Sequence, residues 1–247
     1  MFIHHGRERT FKHNLQIASL LSFVAGIVNV AGFLSVAKLT TNITGHFAFF
    51  IDEAFKLNIT QTFLYLLYIV AFFTGSFTSG FLIEIFSRKS ARFVFVVPII
   101  LESFILTSAG ILSYTFIHNH ENLIATILLF TMGLQNSLVT KISNATVRTT
   151  HLTGLFTDLG IELSQLFFYK EYEQRQKLYS SIKLRFTIIS FFFLGGLLAG
   201  ILYDFIQIRV LLLGATILIA GIIYNFKKQN PTEPIIHLKQ EIKNLKK

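Results

Sequence analysis

Six apolar runs limit this chain to very few folds: Leu15–Ala37, Phe63–Phe86, Phe93–Ile117, Leu123–Ile142, Phe186–Tyr203 and Val210–Phe226. Each holds about 17–25 residues, the length a helix needs to cross a hydrocarbon core of about 30 Å. Only 14% of the residues are charged and the mean hydropathy is +0.59, too few charges to coat a water-soluble domain of this size. The sequence therefore predicts an all-α integral membrane protein. The absence of cysteine excludes disulfide frameworks and thiol chemistry. The net charge of +9, which in a soluble protein would suggest nucleic acid, here marks the basic edges of membrane helices, so no nucleic-acid partner is expected. Arg7, Arg9 and Lys12 followed by the first apolar run, with Ser35-Val36-Ala37 beyond it, resemble a cleavable leader. Its apolar region is too long for one, and the repeat described below makes it part of the fold.

The basic residues are clustered. Of 22 Lys and Arg residues, 19 fall before the first run, around Arg88, between Lys141 and Arg185, or after the last run. The positive-inside rule puts these four regions on one face, the cytoplasmic one, together with both termini. Two further apolar segments then break the count of crossings. Phe47–Leu57 carries Asp52 and Glu53, and Gly154–Tyr169 carries Asp158 and Glu162. Both are too short to span, and each must leave by the face it entered. The expectation is six transmembrane helices plus two re-entrant half-helices.

Internal similarity points the same way. Gly26-Ile-Val-Asn29 matches Gly133-Leu-Gln-Asn136 at an offset of 107 residues, and TTNITG (40–45) matches TTHLTG (149–154) at 109. FFTGSFTSGFLIE (72–84) matches FFLGGLLAGILYD (192–204) at 120. Each half contains three crossings, so the second copy is expected upside down, in a single polytopic domain 1–247 with halves of about 15–117 and 122–226 and a basic cytoplasmic tail over 227–247. Inverted repeats with interrupted helices build many transporters, whose sites lie at the midplane. Residues 38–43, if extended, reach about 20 Å, enough to dive to that depth. Thr44-Gly45 and Thr153-Gly154 would then be two helix starts facing one another, capped by the Thr hydroxyls. Their free N–H groups favour anionic or hydrogen-bond-accepting solutes.

AGIVNVAGF (25–33), TTNITGH and MGLQNSLVTKISNATVRTTHLTGLFTDL (132–159) resemble the YoaK-like bacterial membrane proteins, the domain-of-unknown-function family numbered 1275. The resemblance covers roughly residues 15 to 225. It implies a multi-pass protein of the bacterial cytoplasmic (inner) membrane and supplies no substrate. Asn29 stands where the family usually has Asp, and His46 where Asn often follows the Thr-Gly pair. Asn29 thereby mirrors Asn136.

The solute-binding candidates are Asn29, Thr41, Asn42, Thr44, Gly45, Gln135, Asn136, Thr150, His151, Thr153 and Gly154. Glu102, ten residues beyond Arg92 and so about 15 Å deep, is a functional candidate because ionisable groups at that depth are costly. It and Asp158 are the proton-coupling candidates. Glu84, four residues before Arg88, is expected to pair with it at the cytoplasmic edge. The glycines of 75–80 and 195–200 read as close helix packing. His118, His120 and Glu121 read as a solvated turn rather than a metal site. The tail after Pro234 spaces Ile235, Leu238, Ile242 and Leu245 among lysines, as either an amphipathic surface helix or a frayed end. No HExxH, serine-nucleophile motif or His-carboxylate cluster points to an enzyme, and no cofactor or metal is expected. The predicted partners are the bilayer and a small polar or anionic solute, carried by a secondary transporter or channel, with a homo-oligomer left open. The alternative is a non-transporting scaffold or sensor.

Overall fold

The computed structural model describes residues 10–88 and 93–227. Arg7, Arg9, Lys89, Arg92 and the basic tail beyond Lys227, with its spaced Ile and Leu residues, lie outside the described residues. The regular structure of the described residues is all helix: α1 (Phe11–Val36), α2 (Ile43–Phe55), α3 (Ile59–Ser87), α4 (Val96–Gly110), α5 (Tyr114–Asn119), α6 (Glu121–Ile142), α7 (Leu152–Gln165), α8 (Tyr172–Ile206) and α9 (Val210–Lys227). A single 3-10 turn, Gln207–Arg209, separates α8 from α9.

α1, α3, α6 and the α8–α9 stretch are long and apolar enough to cross a membrane. α3 turns Phe63, Phe73, Phe77 and Phe81 outward, each more than half exposed. A row of that size would be prohibitive in water and is ordinary against acyl chains. The chain is a helical membrane protein. α4 is shorter than the predicted third span. It stops at Gly110, and after a three-residue break the Ser113 hydroxyl accepts from the Phe116 N–H at 3.3 Å, starting α5. The expected run Phe93–Ile117 is thus one 15-residue helix and one six-residue helix.

α1 and α6 are the centre of the bundle. In each, 61% of the apolar window is buried inside the protein, against 28% for α3. α8 packs along α1 and α3 along α6, α2 lies on α3 and α7 on α8, and α4 meets α9. Glycines set the two main crossings. A Cβ on Gly26 would lie 2.0 Å from the Phe192 carbonyl oxygen, and one on Gly133 would lie 2.0 Å from that of Phe72. Likewise Gly195 would meet the Phe23 carbonyl at 2.0 Å, and Gly75 that of Phe130 at 1.9 Å. These four contacts form two matched pairs under the sequence offsets of 107 and 120. Small residues here let backbones touch, where dispersion holds membrane helices together in place of a hydrophobic drive.

Both central helices also end alike. Ala37 after α1 and Asn144 after α6 adopt left-handed φ values of 51°, positions related by 107 residues. A Cβ-bearing residue adopts that region at a cost of about 1–2 kcal/mol, and here it turns the chain sharply into the irregular segments ahead of α2 and α7.

Ion pairs decorate the edges. Lys56 binds Asp52 and Glu53 at the end of α2. Glu84 pairs with Lys141 of α6 at 3.1 Å rather than with Arg88 of its own helix end. The α3–α6 crossing brings that lysine alongside, and interhelical reach wins over the local i,i+4 spacing.

Candidate functional site

α2 has 13 residues and α7 has 14, about 20 Å each and too short for a bilayer. Their N-terminal ends, with the segments that lead into them, border one cavity of about 830 Å³. It is walled by Asn29, Thr41, Asn42, Ile43, Thr44 and Phe72 from the first half, and by Asn136, Thr150, His151, Leu152, Thr153 and Phe192 from the second. These twelve residues form six pairs under the sequence offsets of 107, 109 and 120. The Thr41 hydroxyl donates to Asn29 Oδ1 at 2.6 Å, and the Thr150 hydroxyl donates to Asn136 Oδ1 at 2.8 Å. Each amide is therefore held by its oxygen, which leaves its NH2 to donate elsewhere. The Asn136 Nδ2 is buried and has no protein acceptor.

Nine of the eleven sequence-derived candidates line this cavity: Asn29, Thr41, Asn42, Thr44, Gly45, Asn136, Thr150, His151 and Thr153. Two do not. Gln135 is fully buried and donates to the Leu21 carbonyl at 2.7 Å, tying α6 to α1. Gly154 lies under the His151 ring, which a Cβ there would strike at 2.6 Å, and faces a smaller pocket. The threonines are not the caps. Asn42 caps α2, its side chain accepting from the Gly45 N–H at 3.3 Å. His151 holds the corresponding place before α7 without a side-chain cap bond. Asn is the stronger cap, and it stands two residues ahead of Thr44, so the helix starts earlier than the Thr-Gly pair implies. Asn42→Ala is expected to lower stability by about 1 kcal/mol, read as a lower melting midpoint for purified protein, while Thr44→Ala leaves it unchanged.

Sequence reasoning missed Arg148. It lines the cavity, and none of the ion pairs among the described residues uses it. At the sequence offset of 109 it corresponds to Leu39, which also lines the cavity. The offset of 109 from Leu39 is the one sequence signal that points to it, since in the charge pattern it reads as a topology marker. No carboxylate lines the cavity among the described residues. Arg148 and His151 also wall a neighbouring polar pocket of about 300 Å³ that contains Asp158, Ser181 and Arg185. Arg185 clamps α7 to α8 there: it donates to Asp158 and to Glu162, both at 2.9 Å, while Ser181 donates to Glu162.

The two short helices α2 and α7 differ in what supports them. On α2, buried His46 places Nε2 2.6 Å from the Leu39 carbonyl and turns its ring edge to Tyr68, with centroids 5.0 Å apart. The Tyr68 hydroxyl donates to Asn122 of α6 at 2.8 Å. This chain fixes the segment entering α2 against α3.

Glu102 is fully buried in α4, and neither carboxyl oxygen has a hydrogen-bond partner. It does not line the cavity. His118 lies 3.3 Å from Glu121 in an exposed pair, and no cluster of three or more metal-ligating side chains occurs among the described residues.

One family model, described as "Protein of unknown function (DUF1275)", matches residues 17–224. The chain belongs to the DUF1275 family. The match covers α1 from Ile17 onward, α6, α2, α7 and the whole cavity wall, so the cavity lies within the DUF1275 region. No curated protein and no solved structure matches the chain.

Proposed function

We propose that this DUF1275 protein is a secondary transporter or channel for a small anion, with its site in the cavity where α2 and α7 begin. The observation that carries the reading is the lining itself: two helix N-termini, two oriented Asn–Thr pairs and an arginine without an ion-pair partner, with no carboxylate among the described wall residues. Each helix start supplies positive partial charge, and irregular backbone within a membrane is tolerated where it lines a wet cavity.

In this reading the fold is a single polytopic domain of two inverted repeats with six crossings, α2 and α7 being the re-entrant pair. Supporting it are the matched glycine contacts at the two crossings, the matched left-handed residues 37 and 144, and the six repeat-related pairs around the cavity. The termini and the Lys141–Arg185 region lie in the cytoplasm, and the membrane is the bacterial inner membrane. Arg148 and His151, shared between the cavity and the Asp158–Arg185 pocket, mark the way out towards that side. Glu102 serves as the proton-coupling group. It is sealed in the helix bundle without a partner, and a charge there would be costly in the way that makes intramembrane carboxyls switches.

Uptake by proteoliposomes of a panel of labelled phosphate, sulfate and short carboxylates tests the reading. At least one anion is expected to enter faster than into empty liposomes. Glu102→Gln, close in shape to the acid, is expected to remove the dependence of that uptake on a proton gradient while the protein still folds. Rates equal to those of empty liposomes for every anion would reject transport of this class.

A further inference from the structure

The polar cavity adjoins an apolar one across Leu152 and Phe192. A groove of about 680 Å³ runs along α8, with Val30 of α1 and Phe156 of α7 on its flanks, and two of its wall residues, Leu152 and Phe192, also wall the polar cavity. Gly196 and Gly200 lie in its wall; a Cβ on Gly196 would press on Val30 Cγ2 at 2.9 Å, whereas one on Gly200 would have room, 3.8 Å from Val30 Cγ1. In the other half Ser76 stands in the place of Gly196, its hydroxyl donating to the Gly133 carbonyl. The outer rim is hydrocarbon-facing, with Phe156 58% and Phe193 65% exposed. From Phe192 at the polar end to Asp204 at the far end the helix covers about 18 Å.

Resting on the reading of the cavity as an anion site, we propose that the substrate is a single-chain amphiphilic anion. Its headgroup lies by Arg148 and the two Asn–Thr pairs, and its alkyl chain lies in the α8 groove. Charge complementarity fixes the head, since the cation and the oriented amides are at one end only. The shared wall at Leu152 and Phe192 fixes the direction in which the chain leaves. The open, lipid-facing flank allows entry sideways from the bilayer, so the chain never has to cross the polar cavity. The groove walls gain by covering a chain, because a hollow loses the dispersion contacts that packed atoms make.

The test uses the full chain in nanodiscs of phosphatidylcholine and two photoreactive probes, decyl phosphate and decanol, each with a diazirine at the far end of the chain. Adducts are mapped by mass spectrometry. Decyl phosphate is expected to label the groove at Phe156, Leu197 or Ile201, about tenfold more than decanol does, the scale of one charge-assisted contact. Arg148→Gln is expected to bring labelling down to the decanol level. Gly200→Leu fills the groove and is expected to remove it; the new Cβ has room, with Val30 Cγ1 3.8 Å away, and unchanged melting of this variant shows the fold intact. Equal labelling by the two probes, or adducts outside the groove, overturns the proposal. If ethyl phosphate still occupies the cavity while decyl phosphate labels no better than decanol, only the amphiphile is lost. If neither phosphate binds, the anion site falls with it.

Discussion

Arg148→Gln is expected to lower anion uptake by about 10-fold to 100-fold, the loss of a charge-assisted hydrogen bond worth roughly 1.5–3 kcal/mol. The fold should not register the change. Arg148 is exposed and takes part in none of the described ion pairs, so its removal strands no buried carboxylate. Stability should stay within about 0.5 kcal/mol, as for other exposed substitutions. Arg148→Lys keeps the charge and loses the planar fork that grips two oxygens at once, so an intermediate rate is expected. Leu39→Arg, placing a second cation at the repeat-related position, is the converse variant and should tighten anion binding measured by calorimetry. Wild-type uptake by Arg148→Gln would show that the cation is a topology signal and no more.

Large side chains at the glycine crossings should have the greatest effect on folding. Gly26→Leu and Gly133→Leu each place a Cβ only 2.0 Å from a backbone carbonyl oxygen of the neighbouring helix. A flexible neighbour could yield, but a helix backbone yields only if the two helices part. Overpacking ordinarily costs about 1–3 kcal/mol, and parting α1 from α8, or α6 from α3, forfeits the largest interfaces in the bundle. Both variants should therefore be recovered, if at all, as aggregated protein by size-exclusion chromatography in detergent. Gly160 is the control. A Cβ there meets nothing within 4 Å, so Gly160→Ala should fold normally and gain about 0.5–1 kcal/mol from helix propensity. Near-wild-type melting of Gly133→Leu would mean that the crossing is looser than described.

Much of this arrangement could be read from the residues because the bilayer allows so few solutions. Six long apolar runs and two short acidic ones left little choice of element, and the offsets of 107, 109 and 120 tied Asn29 to Asn136 and Thr41 to Thr150 before either pair was seen in space. Errors arose where local chemistry competed. Asn42 outbids Thr44 as a cap two residues earlier. Ser113 starts a new helix inside a run that hydropathy counts as one. Glu84 finds Lys141 because a crossing, invisible in i,i+4 spacing, brings it close. Gln135 and Asn136 are both candidates by sequence, but neighbours on a helix point about 100° apart, and only Asn136 faces the cavity. The apolar groove is not legible for a related reason: Gly196 and Gly200, which line it, lie on a face that periodicity reads as packing.

The chain's lack of cysteine permits the most direct test of the central claim, that α2 and α7 begin in a shared, wet, anion-binding cavity. Thr44→Cys and Thr153→Cys, each as the single cysteine in proteoliposomes, would be exposed to a small thiosulfonate reagent with and without the transported anion. Modification of both cysteines, slowed at both by the same anion, is the predicted result. Two cysteines that stay unmodified, or that react at rates the anion leaves unchanged, would contradict it.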